Sequence, residues 1–311
     1  MSDRWQELWV VLTNPLLLPM FCCAVAGFVA YVFARRLPAI SRLMSVAASV
    51  AALALTIRLF AMPRIDLEAT FLEVHGLRIA LAMTNGTFGA MIAMGSAFFG
   101  LLVVIYALAS ERGQPGEGRF HAFLCWTLTG AIGAALADDL IWLLVCWELV
   151  SLCLYMLLNA GRAEGAAGAA KTFAMIGLGD GAMLLAVAFI IAAQGTARIS
   201  GLTIEVGTPL TYICYLLFVA AALAKAGAVP LHTWIPAAAP HARAAVFAFL
   251  PASLDKLLGI YLLARFSLGV FTLDGYMKGL LMIVGAVTVL AAVLMAMLQH
   301  HLGVGMLAVE P

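Results

Sequence analysis

Three acidic residues and two lysines, Glu148, Asp180, Asp255, Lys225 and Lys256, stand inside stretches otherwise apolar enough to cross a lipid bilayer. By insertion scales, an ionisable group at the middle of a membrane helix costs roughly 2.5–3.5 kcal/mol, so these residues together oppose insertion by something on the order of 15 kcal/mol. Such a cost persists where charges pair with one another or line a hydrated path. Proton or ion conduction is therefore the first chemistry to consider, and structural anchoring the second.

Each charge sits in a distinct local setting. Glu148 follows the helix start expected at Asp139 by nine residues, which at about 1.5 Å per residue places it about 14 Å deep, near the bilayer midplane. Lys225 precedes Gly227 and Pro230 in an apolar run that continues through Pro236 to Ala239. Proline removes a backbone donor and clashes with the preceding turn, so a broken helix is expected there, its freed carbonyls needing water or polar side chains. Asp255 and Lys256 are adjacent and point about 100° apart on a helix, so they need different partners. Asp180 lies in Gly177-Leu178-Gly179-Asp180-Gly181. No strand precedes it, and the spacing of Gly177 and Gly181 suits close helix packing in lipid better than a nucleotide loop. His232 and His241 lie beside the prolines, where a solvated loop histidine and a proton relay both remain open readings.

The elements that must position these groups are long apolar helices. Hydrophobic residues make up 65% of the 311 residues and charged ones 11%, far from an ordinary soluble domain. A formal net charge of +1 offers no field for nucleic acid. Spans of about twenty residues read off as about nine helices, near 14–34, 41–62, 86–109, 121–137, 139–159, 171–193, 208–228, 245–266 and 277–298. Between Pro63 and Asn85, apolar Ile65, Leu67, Ala69 and Phe71 alternate with Asp66, Glu68 and Thr70. That alternation predicts a hairpin on the membrane face, turning near His75-Gly76. Arg35, Arg36 and Arg42 crowd the first connection, which favours a cytoplasmic loop and an N-terminus outside. The amphipathic first twelve residues are unlike a cleavable signal, so the first span is expected to act as a signal anchor. The six cysteines form no Cys-x-x-Cys pair and read as small buried hydrophobes.

Two runs carry a family resemblance. Leu143-Leu144-Val145-Cys146-Trp147-Glu148-Leu149 resembles the Trp-Glu helix of the antiporter-like, proton-translocating subunits of respiratory complex I, Mrp-type antiporters and membrane-bound hydrogenases. Ala224-Lys225-Ala226-Gly227-Ala228-Val229-Pro230-Leu231-His232-Thr233-Trp234-Ile235-Pro236 is similar to their broken-helix lysine segment. The run from Phe249 to Gly259 is more similar to hydrogenase-type members than to ordinary complex I subunits. The likeness covers roughly 65–302. Ala237 stands where the family usually has Asp, His241 to Ala245 lacks the usual Pro-x-Pro, and Gly303-Val304-Gly305 replaces an expected basic residue.

The resemblance implies an all-helical polytopic membrane subunit. Residues 1–120 would hold N-terminal helices and the hairpin, 121–266 a first five-helix repeat, and 267–311 the start of a second repeat. Glu148 would be the pairing carboxylate, Lys225 the central proton carrier, Lys256 the next station and Asp180 a supporting charge. Asp255 would join the pathway, and His232 and His241 would serve its uptake or linking region. No cofactor or metal is expected on this chain; redox chemistry would belong to partner subunits, with iron–sulfur subunits associated indirectly and another chain supplying the second half. The implied function is conduction of protons, or exchange of Na+ for protons, in a redox-driven complex of a prokaryotic cytoplasmic membrane. The alternatives are a structural membrane subunit with non-conducting ion pairs and a stand-alone secondary transporter.

Overall fold

The computed structural model describes residues 13–74, 77–159, 166–240 and 242–297. The chain divides into two compact units: residues 1–153 with 195–200, and residues 154–194 with 201–311.

In unit 1, α1 (Leu18–Phe33), α2 (Pro38–Ala61), α3 (Thr87–Ser110) and α4 (Glu117–Leu136) pack together, with α1 and α2 each opening on a proline in the first turn. Proline suits that position because its missing N–H would lack an intrahelical partner anyway. Nearly every residue of α4 is buried. A helix so largely enclosed by protein can carry Glu117 and His121, which would be costly on a lipid-facing surface, while Thr127 and Thr129 donate to the Phe123 and Cys125 carbonyls of their own helix. Gly130 and Gly133 permit its approach to α5 (Leu140–Asn159): a Cβ on Gly130 would lie 2.8 Å from the Cys146 carbonyl.

The expected hairpin is present. β1 (Asp66–Val74) pairs antiparallel with β2 (Leu77–Thr84), with a register shift between Thr70 and Leu72 that marks a bulge. Its expected turn at His75-Gly76 lies outside the described residues. Asn85 anchors the hairpin, accepting from Ile65 N at 2.6 Å while its Nδ2 donates to the Leu59 and Pro63 carbonyls at 2.9 and 3.1 Å.

In unit 2, α6 (Ala166–Gln194) and α10 (Asp255–Gly269) both pack on α7 (Pro209–Ala226). Thr208 and Thr211 form a reciprocal cap at the start of α7. Its end is the predicted break. Gly227 takes φ +66°, Ala228 N donates to Leu223 O and Gly227 N to Ala224 O, closing the helix in a left-handed turn. Glycine is favoured there by its positive φ, and a Cβ would also push the end of the Ile235 side chain aside, lying 2.1 Å from its Cδ1. The chain resumes in short helices α8 (Trp234–Ala238) and α9 (Ala244–Phe249), then a π-helical turn, Leu250–Leu254, that runs into α10. Short strands β3 (Ile204–Glu205) and β4 (Phe271–Thr272) pair in parallel before α11 (Gly275–Met297). Phe218 of α7 stacks on Phe266 of α10 at 4.1 Å, and Tyr215 shares a 2.8 Å hydrogen bond with Ser267.

Among the described residues, six helices are long and apolar enough to cross a membrane: α2, α3, α5, α6, α7 and α11. The other expected spans fall outside that measure of length and composition: the apolar α1 is shorter, α4 carries Glu117, Arg119 and His121, and the span near 245–266 is interrupted by the π-turn.

Candidate functional site

The break in α7 determines what surrounds Lys225. It frees carbonyls in the last turn of the helix, and Trp234 from beyond the break donates its indole N–H to Ala224 O at 2.9 Å. Val229 N donates to Thr288 of α11 at 3.2 Å. Lys225 itself is 1% exposed.

Two glycines let neighbouring helices close on this turn. On α6, a Cβ at Gly179 would lie 2.6 Å from Ala224 Cβ; on α10, a Cβ at Gly259 would lie 2.6 Å from Ala222 O and 2.7 Å from Ala226 N. Asp180 adjoins the first glycine in sequence, and Asp255 is one helical turn before the second. Both carboxylates are buried, and Lys225 and Asp180 are the charged groups whose fields reach Asp255. Unit 2 therefore gathers Asp180, Lys225 and Asp255 into one enclosed set. Neither carboxyl oxygen of Asp255 accepts a hydrogen bond among the described residues. The π-turn just before it leaves carbonyls that Ser253 partly satisfies, donating to Ala248 O at 2.8 Å; such turns recur at functional sites.

The other expected residues are placed differently. Lys256 points outward from α10 and is exposed, as its angular offset from Asp255 requires. Glu148, in unit 1, lies on the exposed face of α5 beside fully buried Trp147. Side-chain burial thus applies to Asp180, Lys225 and Asp255, and not to Glu148 or Lys256. His232 is half-buried, and its Nδ1 finds no hydrogen-bond partner among the described residues. His241 lies outside the described residues. The glycine reading is corrected: a Cβ on Gly177 or Gly181 would meet nothing within 4 Å, and Gly179 makes the close approach. Gly177 and Gly181 share the outward face of α6, and Gly179 faces α7.

Sequence reasoning passed over a second charged cluster, within unit 1. Asp138, 1% exposed, accepts from Arg198 Nε at 2.8 Å, from Ser200 N at 3.1 Å and from the Ser200 hydroxyl. Arg198 also pairs with Glu68 of the hairpin. Glu68, Asp139, Thr196 and Arg198 line a surface cavity of about 220 Å³ with Ala80 and Ala82. Asp139 caps α5, accepting from Ile141 N and Trp142 N at 2.8 and 3.0 Å. Burial nonetheless pushes its carboxyl above the ordinary carboxylate range, those two amides and Arg198 pulling the other way.

Residues 137–303, more than half of the chain, match the family model described as NADH:quinone oxidoreductase/Mrp antiporter, transmembrane. The chloroplastic NAD(P)H-quinone oxidoreductase subunit 5 of Tecoma stans is 28% identical over 218 residues, covering 67% of this chain and 29% of that protein. The same subunit of Sesamum indicum is 27% identical over 218 residues, covering 67% and 32%. The chain thus spans about three tenths of the length of these curated relatives. Among solved structures, the Mrp complex from Dietzia sp. DQ12-45-1b superposes with a TM-score of 0.81 at 23% identity, covering 92% of this chain and 32% of that one. Respiratory complex I from Thermus thermophilus gives 0.72 at 19%, covering 92% and 60%. The archaeal membrane-bound sulfane sulfur reductase gives 0.66 at 25%, covering 82% and 42%.

Proposed function

The chain belongs to the NADH:quinone oxidoreductase/Mrp antiporter transmembrane family and is an integral multi-pass membrane protein, and from that premise we propose that it conducts protons, or exchanges Na+ for protons, as a subunit of a redox-driven membrane complex. The observation that carries this reading is the enclosed Asp180–Lys225–Asp255 set at the end of a broken helix. Two carboxylates and one ammonium hold a net charge that one added cation neutralises. Buried charges of this kind mark ion pathways, and interrupted helices recur at ion sites in transporters.

Glu148, Lys256, His232 and His241 complete the proposed pathway. Glu148 and Lys256, both exposed, would exchange with groups that other membrane subunits bring. Such partners, a chain supplying a second antiporter-like half and peripheral iron–sulfur subunits, are part of the proposal. It is supported by relatives and structural neighbours that are subunits of oxidoreductase, Mrp and sulfane sulfur reductase assemblies. The proposed setting is a prokaryotic cytoplasmic membrane with the N-terminus outside, which the arginines of the first connection favour.

The test is ion translocation by the native complex in membrane vesicles carrying Lys225→Ala or Glu148→Ala. Both variants are expected to assemble and to lose pumping. Normal pumping in both would end this reading.

A further inference from the structure

Unit 1 contains a second buried titratable group, within the N-terminal bundle. His121 of α4 is 0% exposed. Its Nδ1 lies 2.8 Å from Ser45 Oγ of α2, and Ser45, with a single hydroxyl proton, donates to Arg42 O at 2.9 Å. With its proton on Arg42 O, Ser45 accepts from the ring, an assignment that puts the ring proton on Nδ1 and leaves Nε2 a bare acceptor. No group among the described residues bonds that Nε2.

One helical turn earlier on the same face of α4 is Glu117, 6% exposed. Its Oε2 accepts from Gly113 N at 2.8 Å. Its Oε1 forms an ion pair with Arg42 Nε at 3.3 Å and accepts no aligned hydrogen bond among the described residues. Glu117 and Arg42 are the charged groups whose fields reach the imidazole. The neighbouring α1 and α3 contain no Asp, Glu, Lys, Arg or His.

Two buried acceptors one turn apart on one helix face, roughly 5–6 Å between Cβ positions, span the reach of a single bridging water. We propose that Glu117 and His121 hold such a water between Oε1 and Nε2, and that the pair is a proton-exchanging site built wholly within unit 1. In the resting form the water donates one O–H to Nε2 and the other to Oε1. A proton arriving as hydronium passes to Nε2. The water left behind then accepts from Nε2–H and still donates to Oε1, while Nδ1–H stays on Ser45. Arg42 and Glu117 offset each other, so the site goes from neutral to singly positive, and Ser45 anchors the ring through both states. The site does not depend on the conduction assigned to Lys225.

The test is solid-state ¹⁵N NMR of the full chain in lipid bilayers with its histidines labelled, His121 being assigned by the signals lost in His121→Gln. At neutral to alkaline pH, His121 is expected to show a protonated Nδ1 and a bare Nε2. Magnetisation from water should reach that ring several times faster than it reaches buried leucine side chains. A ring protonated at Nε2, or one as dry as those leucines, would overturn the proposal. Glu117→Leu removes the second holder of the water and should slow the transfer several-fold; transfer at the wild-type rate would equally refute a paired site. Should that variant fail to fold, the tautomer and water contact of the unmodified protein still decide the matter.

Discussion

Asp138 in unit 1 and Asp255 in unit 2 are both almost wholly buried carboxylates, 1% and 0% exposed, yet their surroundings are opposite. Asp138 is saturated: Arg198, the Ser200 amide and the Ser200 hydroxyl all donate to it. Asp255 receives no hydrogen bond among the described residues and stands in the fields of Lys225 and Asp180. A carboxylate whose lone pairs are filled by fixed donors holds structure together, and any change in its charge costs those bonds. One balanced by neighbouring charge alone can gain or lose a proton or a cation without breaking a hydrogen bond. The difference separates a clasp from the group that the proposed pathway would use to conduct.

That contrast can be broken experimentally, and the largest effect is expected on transport. Asp255→Asn keeps the shape, so assembly should survive while ion translocation in vesicles falls by an order of magnitude or more, about 1.4 kcal/mol on the barrier per tenfold. Wild-type translocation would place Asp255 with the structural carboxylates. Asp138→Ala is expected to do the reverse, lowering the thermal stability of the purified protein by about 2–3 kcal/mol. That is less than a fully enclosed pair would lose, because Arg198 keeps Glu68 and some water. Gly259→Ala should cost about 1–3 kcal/mol by overpacking α10 against the α7 backbone, and should depress translocation with it by moving Asp255 away from Lys225. A stable variant with normal transport would show that the close approach at Gly259 is dispensable.

The smallest effect concerns pH. Burial raises the Asp139 carboxyl above its ordinary value, so the folded state binds that proton more tightly than the unfolded chain. Its contribution to stability is complete below the unfolded pKa and is lost as pH rises through the folded one. Asp139→Asn still offers an oxygen to the start of α5 and should flatten this acid-side dependence in thermal melts taken across mildly acidic pH. A dependence as steep as that of the unmodified protein would assign it to another group.

Much of this arrangement was legible in sequence. Gly227, Pro230 and Pro236 announced the broken helix, and strict alternation over Ile65–Phe71 announced the hairpin, because backbone chemistry is local. The buried charges Asp180, Lys225 and Asp255 were legible because charge in an apolar run stands out. Helix rotation was not legible. In lipid both faces of a helix are apolar, so the pattern could not reveal that Gly179, rather than Gly177 and Gly181, meets α7, or that Glu148 and Lys256 face outward. The pairing of Asp138 with Arg198 was hidden by its separation of 60 residues.

That separation also has a consequence for biogenesis. The stretch from Gly195 to Ser200 belongs to unit 1, although the chain on either side of it belongs to unit 2. At synthesis rates of about 5–20 residues per second, Asp138 is made roughly 3–12 s before the arginine that saturates it. For that interval the nascent N-terminal bundle lacks the Arg198 and Ser200 donors that Asp138 accepts from in the finished protein. The first unit is thus closed by a late-arriving latch, the Arg198 and Ser200 donors reaching Asp138 only after the intervening chain has been made.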